Sequence, residues 1–193
     1  MRVATLAELN ASGESHNPRI PLNPVLQAVE NIFWETASIR DFVTPAEKEA
    51  FRYRYVEYYW RHAAEWFFVA LSSNAADELP VGYLCAVPDT KVHQVLFEIA
   101  PHIPLFHDLY QEYPAHLHIN LTAAARGKGV GSQLIQEFVT RLLRNGVPGV
   151  HLVTSTDQEN RWFYRKNHFT HEIARGEGAV QALFMGRKLD HTI

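Results

Sequence analysis

The stretch that most restricts what this chain can fold into runs from Ala115 to Ser132 and reads AHLHINLTAAARGKGVGS. Alternating side chains over His116–Leu121 predict a short strand, with His116, His118 and Asn120 on one face and Leu117, Ile119 and Leu121 on the other. One face is expected to pack the core and the other to offer polar groups to a cleft. The next residues, Arg126-Gly-Lys-Gly-Val-Gly131, predict a turn. Val130, Leu134, Ile135, Phe138, Val139, Leu142 and Leu143 then form a helical stripe that begins at once. Gly127, Gly129 and Gly131 keep the turn clear of Cβ atoms, so an anion can approach the backbone. Amides of the turn and of the helix's first turn would converge there, with the positive end of the helix dipole behind them.

Which phosphate such a cradle takes depends on its spacing. A Walker loop ends in Gly-Lys-Ser/Thr, and Gly127-Lys128-Gly129 does not supply it. A dinucleotide fingerprint needs a third glycine where Ser132 stands. Arg126, Gly129 and Gly131 instead fit Arg/Gln-x-x-Gly-x-Gly/Ala, so the loop resembles the pyrophosphate loop of the GNAT superfamily of acetyl-CoA-dependent N-acetyltransferases.

The residues that follow extend the resemblance. Asn145-Gly146 closes the helix, Pro148 prevents its return, and Val150–Thr154 predicts a short apolar strand. Asp157–Phe169 then resembles the second signature of that superfamily, a helix carrying Phe163-Tyr164 and ending at Phe169. Asp157, Asn160 and His168 depart from the usual Asn, Ala and Gly, and Asn167 is expected to take the left-handed cap conformation in place of the missing glycine. Tyr113–Asn120 with Gly146–Leu152 is similar to bacterial proteins related to the acetyltransferase-like domain of O-GlcNAcases. Ala115-His-Leu-His118 is also similar to the corresponding strand of arylalkylamine N-acetyltransferases.

The resemblance implies a single α/β (α+β) domain of GNAT type over residues 1–193. Its central twisted sheet would be mostly antiparallel, with helices on both faces, and splayed where the glycine-loop strand meets Val150–Thr154. Acetyl-CoA, the implied co-substrate, would enter that splay. Its pyrophosphate would lie on Arg126, Gly127, Lys128, Gly129, Val130, Gly131 and Ser132, and its pantetheine along Leu121, Thr122 and Ala123, with Asn160 within reach. His118 with His116 would take a proton from an amine, and Tyr164 would protonate the departing thiolate.

The chemistry is sound without the family. Acetyl transfer to an amine needs a neutral nucleophile, which a histidine near its ordinary pKa can produce. The leaving thiolate needs an acid, and most of the acceleration comes from holding thioester and amine together. The same His-x-His could equally be structural, or could ligate zinc. No neighbouring carboxylate or cysteine supports a metal, and none is expected.

Composition narrows the classes. The 193 residues suffice for one domain with a real core and are too few for two comfortable ones. A net charge of −3 gives no electrostatic reason to expect nucleic acid. No apolar run approaches the ~20 residues of a membrane span, and the start lacks the apolar segment of a secretory signal. Cys85, the single cysteine, excludes an internal disulfide framework. These features lead to the expectation of a cytoplasmic protein, monomeric or homodimeric, acting on a small-molecule amine and away from membranes and nucleic acids.

The first half predicts a strand at Met1–Thr5, a loop over Ser12–Pro24, a helix over Pro24–Ala37 and a second, aromatic-rich helix from Thr44-Pro45 to about His62. Its aromatic residues are read first as packing, although the corresponding helices of the superfamily border the acceptor cleft. Trp66–Ser72 and Val81–Val87 predict a hairpin around Asn74–Glu78, and Phe169–Ala174 with Ala179–Leu189 another around Gly176–Gly178. Residues 88–114 predict an insertion of helical pieces acting as a lid. Two other functions compete: a catalytically silent GNAT-like module that binds CoA or a partner, and a nucleotide-binding oxidoreductase using the same turn.

Overall fold

Among the described residues seven strands form one sheet, in the order β1 (Arg2–Thr5), β2 (Phe67–Leu71), β3 (Pro80–Val87), β4 (Ala115–Leu121), β5 (Gly149–Thr154), β7 (Ala182–Lys188) and β6 (His171–Arg175). The computed structural model describes residues 1–11, 22–72, 78–156, 160–177 and 181–190. Two compact units make up the chain, one of Met1–Ala86 with His118–Phe138 and one of Val87–Leu117 with Val139–Ile193.

In the first unit β1 (Arg2–Thr5) runs antiparallel to β2 (Phe67–Leu71), and β2 antiparallel to β3 (Pro80–Val87). The two hairpin strands therefore stand as expected, while 74–77 of their turn lie outside the described residues. Helix α1 (Leu6–Ala11) follows β1 directly and was not expected. Its start is a reciprocal cap: the Glu8 amide donates to Thr5 Oγ1 at 3.2 Å, and the Thr5 amide to Glu8 Oε2 at 2.9 Å. Helix α2 spans Leu22–Thr36, two residues earlier than expected, because Pro24 fits the first turn, where its missing N–H is no loss. The rest of the expected loop, 12–21, lies outside the described residues. Val25, Val29, Ile32 and Phe33 form the buried face of α2.

The aromatic helix starts where its chemistry places it. Thr44 caps α3 (Pro45–Arg52), accepting from the Glu47 amide, and Pro45 occupies the first turn. It then departs from α geometry. Tyr53–Glu57 form a π turn, closed by the Tyr58 amide donating to the Tyr53 carbonyl, before α4 (Tyr58–His62) resumes. Val56, Glu57, Tyr58 and Tyr59 are consecutively buried, which no single helical stripe provides. Glu57 is held there by Arg52 at 2.7 Å and by Arg61 at 2.5 Å.

Strand β4 (Ala115–Leu121) begins in the second unit and ends in the first, as does helix α6 (Val130–Arg144) in reverse. In the first unit Phe138 of α6 meets Trp66 and Phe68 edge-on, at 6.1 and 5.9 Å between ring centres. The second unit holds β5 (Gly149–Thr154), α7 (Arg161–Lys166), β6 (His171–Arg175) and β7 (Ala182–Lys188). There β5 and β6 each pair antiparallel with β7, giving the expected closing hairpin, part of whose turn (178–180) is outside the described residues. Strand β5 also pairs parallel with β4 at Ala115–Val150 and His116–His151.

Residues 88–114 supply the helical pieces expected of them, α5 (Val95–Ile99) and a 3₁₀ segment at Pro104–Leu109. Their side chains build the second unit's core. Ile103, Phe106, Tyr110 and Tyr113 bury themselves with Ala182 and Phe184 of β7. The Tyr110 hydroxyl donates to the Ile103 carbonyl at 2.6 Å, so its polar end is satisfied inside that core. Among the described residues no helix is long and apolar enough to cross a membrane.

Candidate active site

The glycine turn is built as its composition requires. Gly127 and Gly129 have φ of +71° and +82°, a conformation that opposes any Cβ, and neither has an atom within 4 Å of where one would sit. Backbone conformation, not crowding, makes these positions glycine. The Gly129 carbonyl accepts the first helical bond, from Gln133 at 3.0 Å. The amides of Val130, Gly131 and Ser132 therefore have no acceptor within the helix. Arg126, Gly127, Lys128 and Gly129 are exposed, Val130 and Gly131 are buried, and Ser132 is partly covered. Arg126 bends back so that its Nε donates to the Leu121 carbonyl at 3.3 Å. Thr122 continues the strand ladder, its amide donating to Val81 at 3.0 Å, and Ala123 opens a short 3₁₀ turn.

The two strand histidines sit in different surroundings. Burial changes along β4 and not across it: Ala115, His116 and Leu117 are buried, while His118 to Leu121 are partly exposed. This corrects the expectation of one core face and one cleft face. The reason lies in what meets each end of the strand: His116 stacks on His151 in the second unit, while in the first His118 meets Tyr55 and Tyr59 and Asn120 meets Thr36 of α2.

His118 belongs to the first unit. Its Nε2 lies 3.1 Å from the Tyr59 hydroxyl. The rings of Tyr55 and Tyr59 meet it edge-on, at 5.3 and 5.4 Å between centres. Two residues on, the Asn120 Nδ2 donates to the Tyr83 hydroxyl at 2.8 Å, and the Thr36 hydroxyl of α2 donates to the Asn120 Oδ1 at 3.0 Å. Burial pushes the Tyr83 hydroxyl well above its ordinary pKa and the Cys85 thiol up as well, so neither ionises near neutrality. Sequence reasoning missed Tyr59 as a partner of His118. Its only signal was the density of aromatics in that helix, which reads first as packing.

His116 belongs to the second unit and is 1% exposed. It stacks on His151, its strand partner, with centres 5.1 Å apart and planes 5° from parallel. His151 in turn stacks against Tyr110 and Phe184 at 4.7 and 5.0 Å. Nδ1 of His151 donates to the Tyr113 carbonyl at 2.7 Å. Burial pushes the pKa of His151 down to about 3. Among the described residues no group of three or more His, Cys, Asp or Glu is arranged to hold a metal ion.

Tyr164 lies on α7 in the second unit, 8% exposed, between Phe163 and Phe169. Burial raises its pKa to about 12, which keeps the hydroxyl protonated and able to donate. Asn160 is exposed at the start of α7 and its side chain makes no capping bond. Asp157 lies outside the described residues. The helix end differs from expectation: His168, not Asn167, takes the left-handed conformation, with φ of +68°. Asn167 stays at φ −95°. The bonds dictate this, since the Phe169 amide reaches the Tyr164 carbonyl at 3.0 Å and the His168 amide the Arg165 carbonyl at 3.0 Å. Helix α6 ends on the same pair of bonds with Gly146 at that position, φ +69°.

With this geometry in view, the sequence model of the Acetyltransferase (GNAT) family matches residues 26–169. The chain is 25% identical to SsHAT over 90% of its own length and 97% of that chain, with a TM-score of 0.64. It is also similar in fold to a ribosomal-protein-alanine N-acetyltransferase from Brucella melitensis, at 17% identity, 97% and 98% coverage and TM-score 0.53. A further likeness is to a chain of the NatC complex bound to Gag peptide and CoA, at 10% identity, 98% and 100% coverage and TM-score 0.56.

Proposed function

The chain belongs to the acetyltransferase (GNAT) family, and from that premise we propose that it moves an acetyl group to a primary amine of a small molecule, an amine or amino sugar, by direct attack. It is an acyltransferase that takes its acetyl group from acetyl-CoA. The glycine turn fits that co-substrate, because positive φ at Gly127 and Gly129 turns bare backbone toward an anion at the start of α6. In this reading Arg126 to Ser132 hold the pyrophosphate, Leu121 to Ala123 run beside the pantetheine, and Asn160 supplies a further polar contact.

The observation that carries the acceptor chemistry is the half-buried His118, hydrogen-bonded to Tyr59 and bordered by aromatic rings. A neutral imidazole there takes a proton from the incoming ammonium, and the aromatic surroundings favour a cation over an anion. The nitrogen lone pair so released attacks the thioester carbonyl carbon, and the carbon–sulfur bond breaks. Tyr164 gives its proton to the leaving sulfur, a role suited to a hydroxyl held in its protonated form, while the surplus proton of the new amide nitrogen leaves to solvent, from which Tyr164 is reprotonated. His116, closed inside its ring stack, supports the strand that carries His118. The likeness of Ala115-His-Leu-His118 to arylalkylamine N-acetyltransferases supports the base, and the likeness to O-GlcNAcase-related proteins leaves amino sugars among the acceptors to test.

The test is thiol release from acetyl-CoA with a panel of small primary amines, amino sugars and peptides with free N-termini. The proposal expects release that saturates with a small amine and falls about 10- to 100-fold in Tyr164→Phe. Release only with peptides overturns the substrate class. Unchanged turnover in Tyr164→Phe overturns the acid.

A further inference from the structure

Tyr59 is a buried tyrosine whose hydroxyl is spent on a histidine, and the helix that carries it departs from α geometry just before it. The Tyr58 amide reaches back five residues to Tyr53 and not four, which shifts the helical phase by one residue ahead of Tyr59. After that shift Tyr59 is 1% exposed, its ring is edge-on to His118 at 5.4 Å, and its oxygen is 3.1 Å from Nε2. The hydroxyl that follows the π turn thus meets one imidazole nitrogen.

Resting on the reading of His118 as the base, we propose that Tyr59 is a positioning residue that holds His118 in its Nε2–H tautomer, making Nδ1 the nitrogen that receives the amine's proton. A base needs its lone pair directed at the substrate, and the nitrogen facing Tyr59 is committed to that hydroxyl. In the proposed arrangement the ring proton sits on Nε2 and is donated to the Tyr59 oxygen, which accepts it as an orienting partner does for a catalytic imidazole. When Nδ1 takes the amine's proton, the Nε2–H bond becomes charge-assisted and shortens. Tyr59 accordingly makes His118 a stronger base. Other titratable or charged groups around His118 are Tyr55 on the same helix, Arg54, whose guanidinium lies over the Tyr55 ring at 5.7 Å, and Cys85 of β3, hydrogen-bonded to the His118 backbone. None of them changes in the comparison that follows.

The test uses protein labelled with ¹⁵N in its histidines, with the His118 signals identified by their loss in His118→Gln. Tautomer and titration are read without substrate, for the unaltered protein and for Tyr59→Phe, beside the pH dependence of amine-dependent thiol release. The proposal expects the Nε2–H tautomer in the unaltered protein. In Tyr59→Phe it expects the His118 titration, and the acid limb of the rate with it, to move about half to one pH unit lower. A resting Nδ1–H tautomer overturns the proposal, and this reading does not depend on Tyr59→Phe. A titration that stays in place in Tyr59→Phe overturns it as well. A titration that moves while the acid limb stays still shows that His118 is not the base, and removes the catalytic role of Tyr59 with it.

Discussion

His116 and His118 are the same residue two positions apart on one strand, yet they live in different chemical worlds. His116 is one of a set of parallel rings, stacked on His151 and 1% exposed. His118 is partly open, with one nitrogen on a tyrosine hydroxyl and two rings edge-on to it. The difference arises from what covers each end of β4. At His116 the neighbouring strand contributes its own histidine in register. At His118 the cover is a helix bearing hydroxylated aromatics. Proton transfer needs a group that can reach both substrate and solvent, which favours His118. A group enclosed by rings contributes packing.

Substitution separates the two most strongly. His118→Ala is expected to lower amine-dependent turnover about 10²- to 10⁴-fold while barely moving the thermal midpoint. His116→Ala is expected to do the reverse, losing about 2–4 kcal/mol of stability to the cavity while turnover per folded molecule falls less than about tenfold. Calorimetry beside initial rates checks both, and equal losses of activity would break the comparison.

The glycine turn sharpens it from the co-substrate side. Gly129→Ala meets no atom but forces an L-residue to φ +82°. We expect a stability loss of about 1–2 kcal/mol and at least tenfold weaker acetyl-CoA binding by titration calorimetry. Unchanged affinity would remove the turn from the site.

The buried stack has its own pH signature. His151 titrates at about 3 when folded against 6.5 ordinarily, so the unfolded chain binds a proton that the folded one refuses between those values. Stability therefore rises with pH across that window and is lost as pH falls from 6.5 toward 3. His151→Phe should flatten the thermal midpoint over the same range, and an unaltered slope would show that the stack does not govern acid stability.

How much of this was legible in the sequence depends on how local the cause is. The glycine turn, the Thr44-Pro45 helix start and the Asn145-Gly146 helix end were readable, because each is decided by residues in contact along the chain. The cap of α1 is equally local, Thr5 and Glu8 three apart, but its six residues are too few to show a helical period. Burial along β4 was not readable, since it depends on His151, Tyr55 and Tyr59, all distant in sequence. The π turn leaves no periodic trace, as it breaks the stripe by which helices are recognised.

The end of α7 shows the same limit. An asparagine beside a histidine suggested that Asn167 would bend, yet the bonds to Tyr164 and Arg165 place the positive φ on His168. His168→Gly, matching Gly146 on α6, should stabilise the protein by up to about 1 kcal/mol in denaturant unfolding. A loss of stability would mean that the imidazole makes up for its backbone strain.

The central claim is that proton transfer belongs to His118 and not to its buried twin. The pH dependence of amine-dependent thiol release in His116→Gln and His118→Gln, measured side by side, tests it most directly. The account predicts that the acid limb disappears in His118→Gln and persists in His116→Gln. An acid limb that persists in His118→Gln and vanishes in His116→Gln would contradict it.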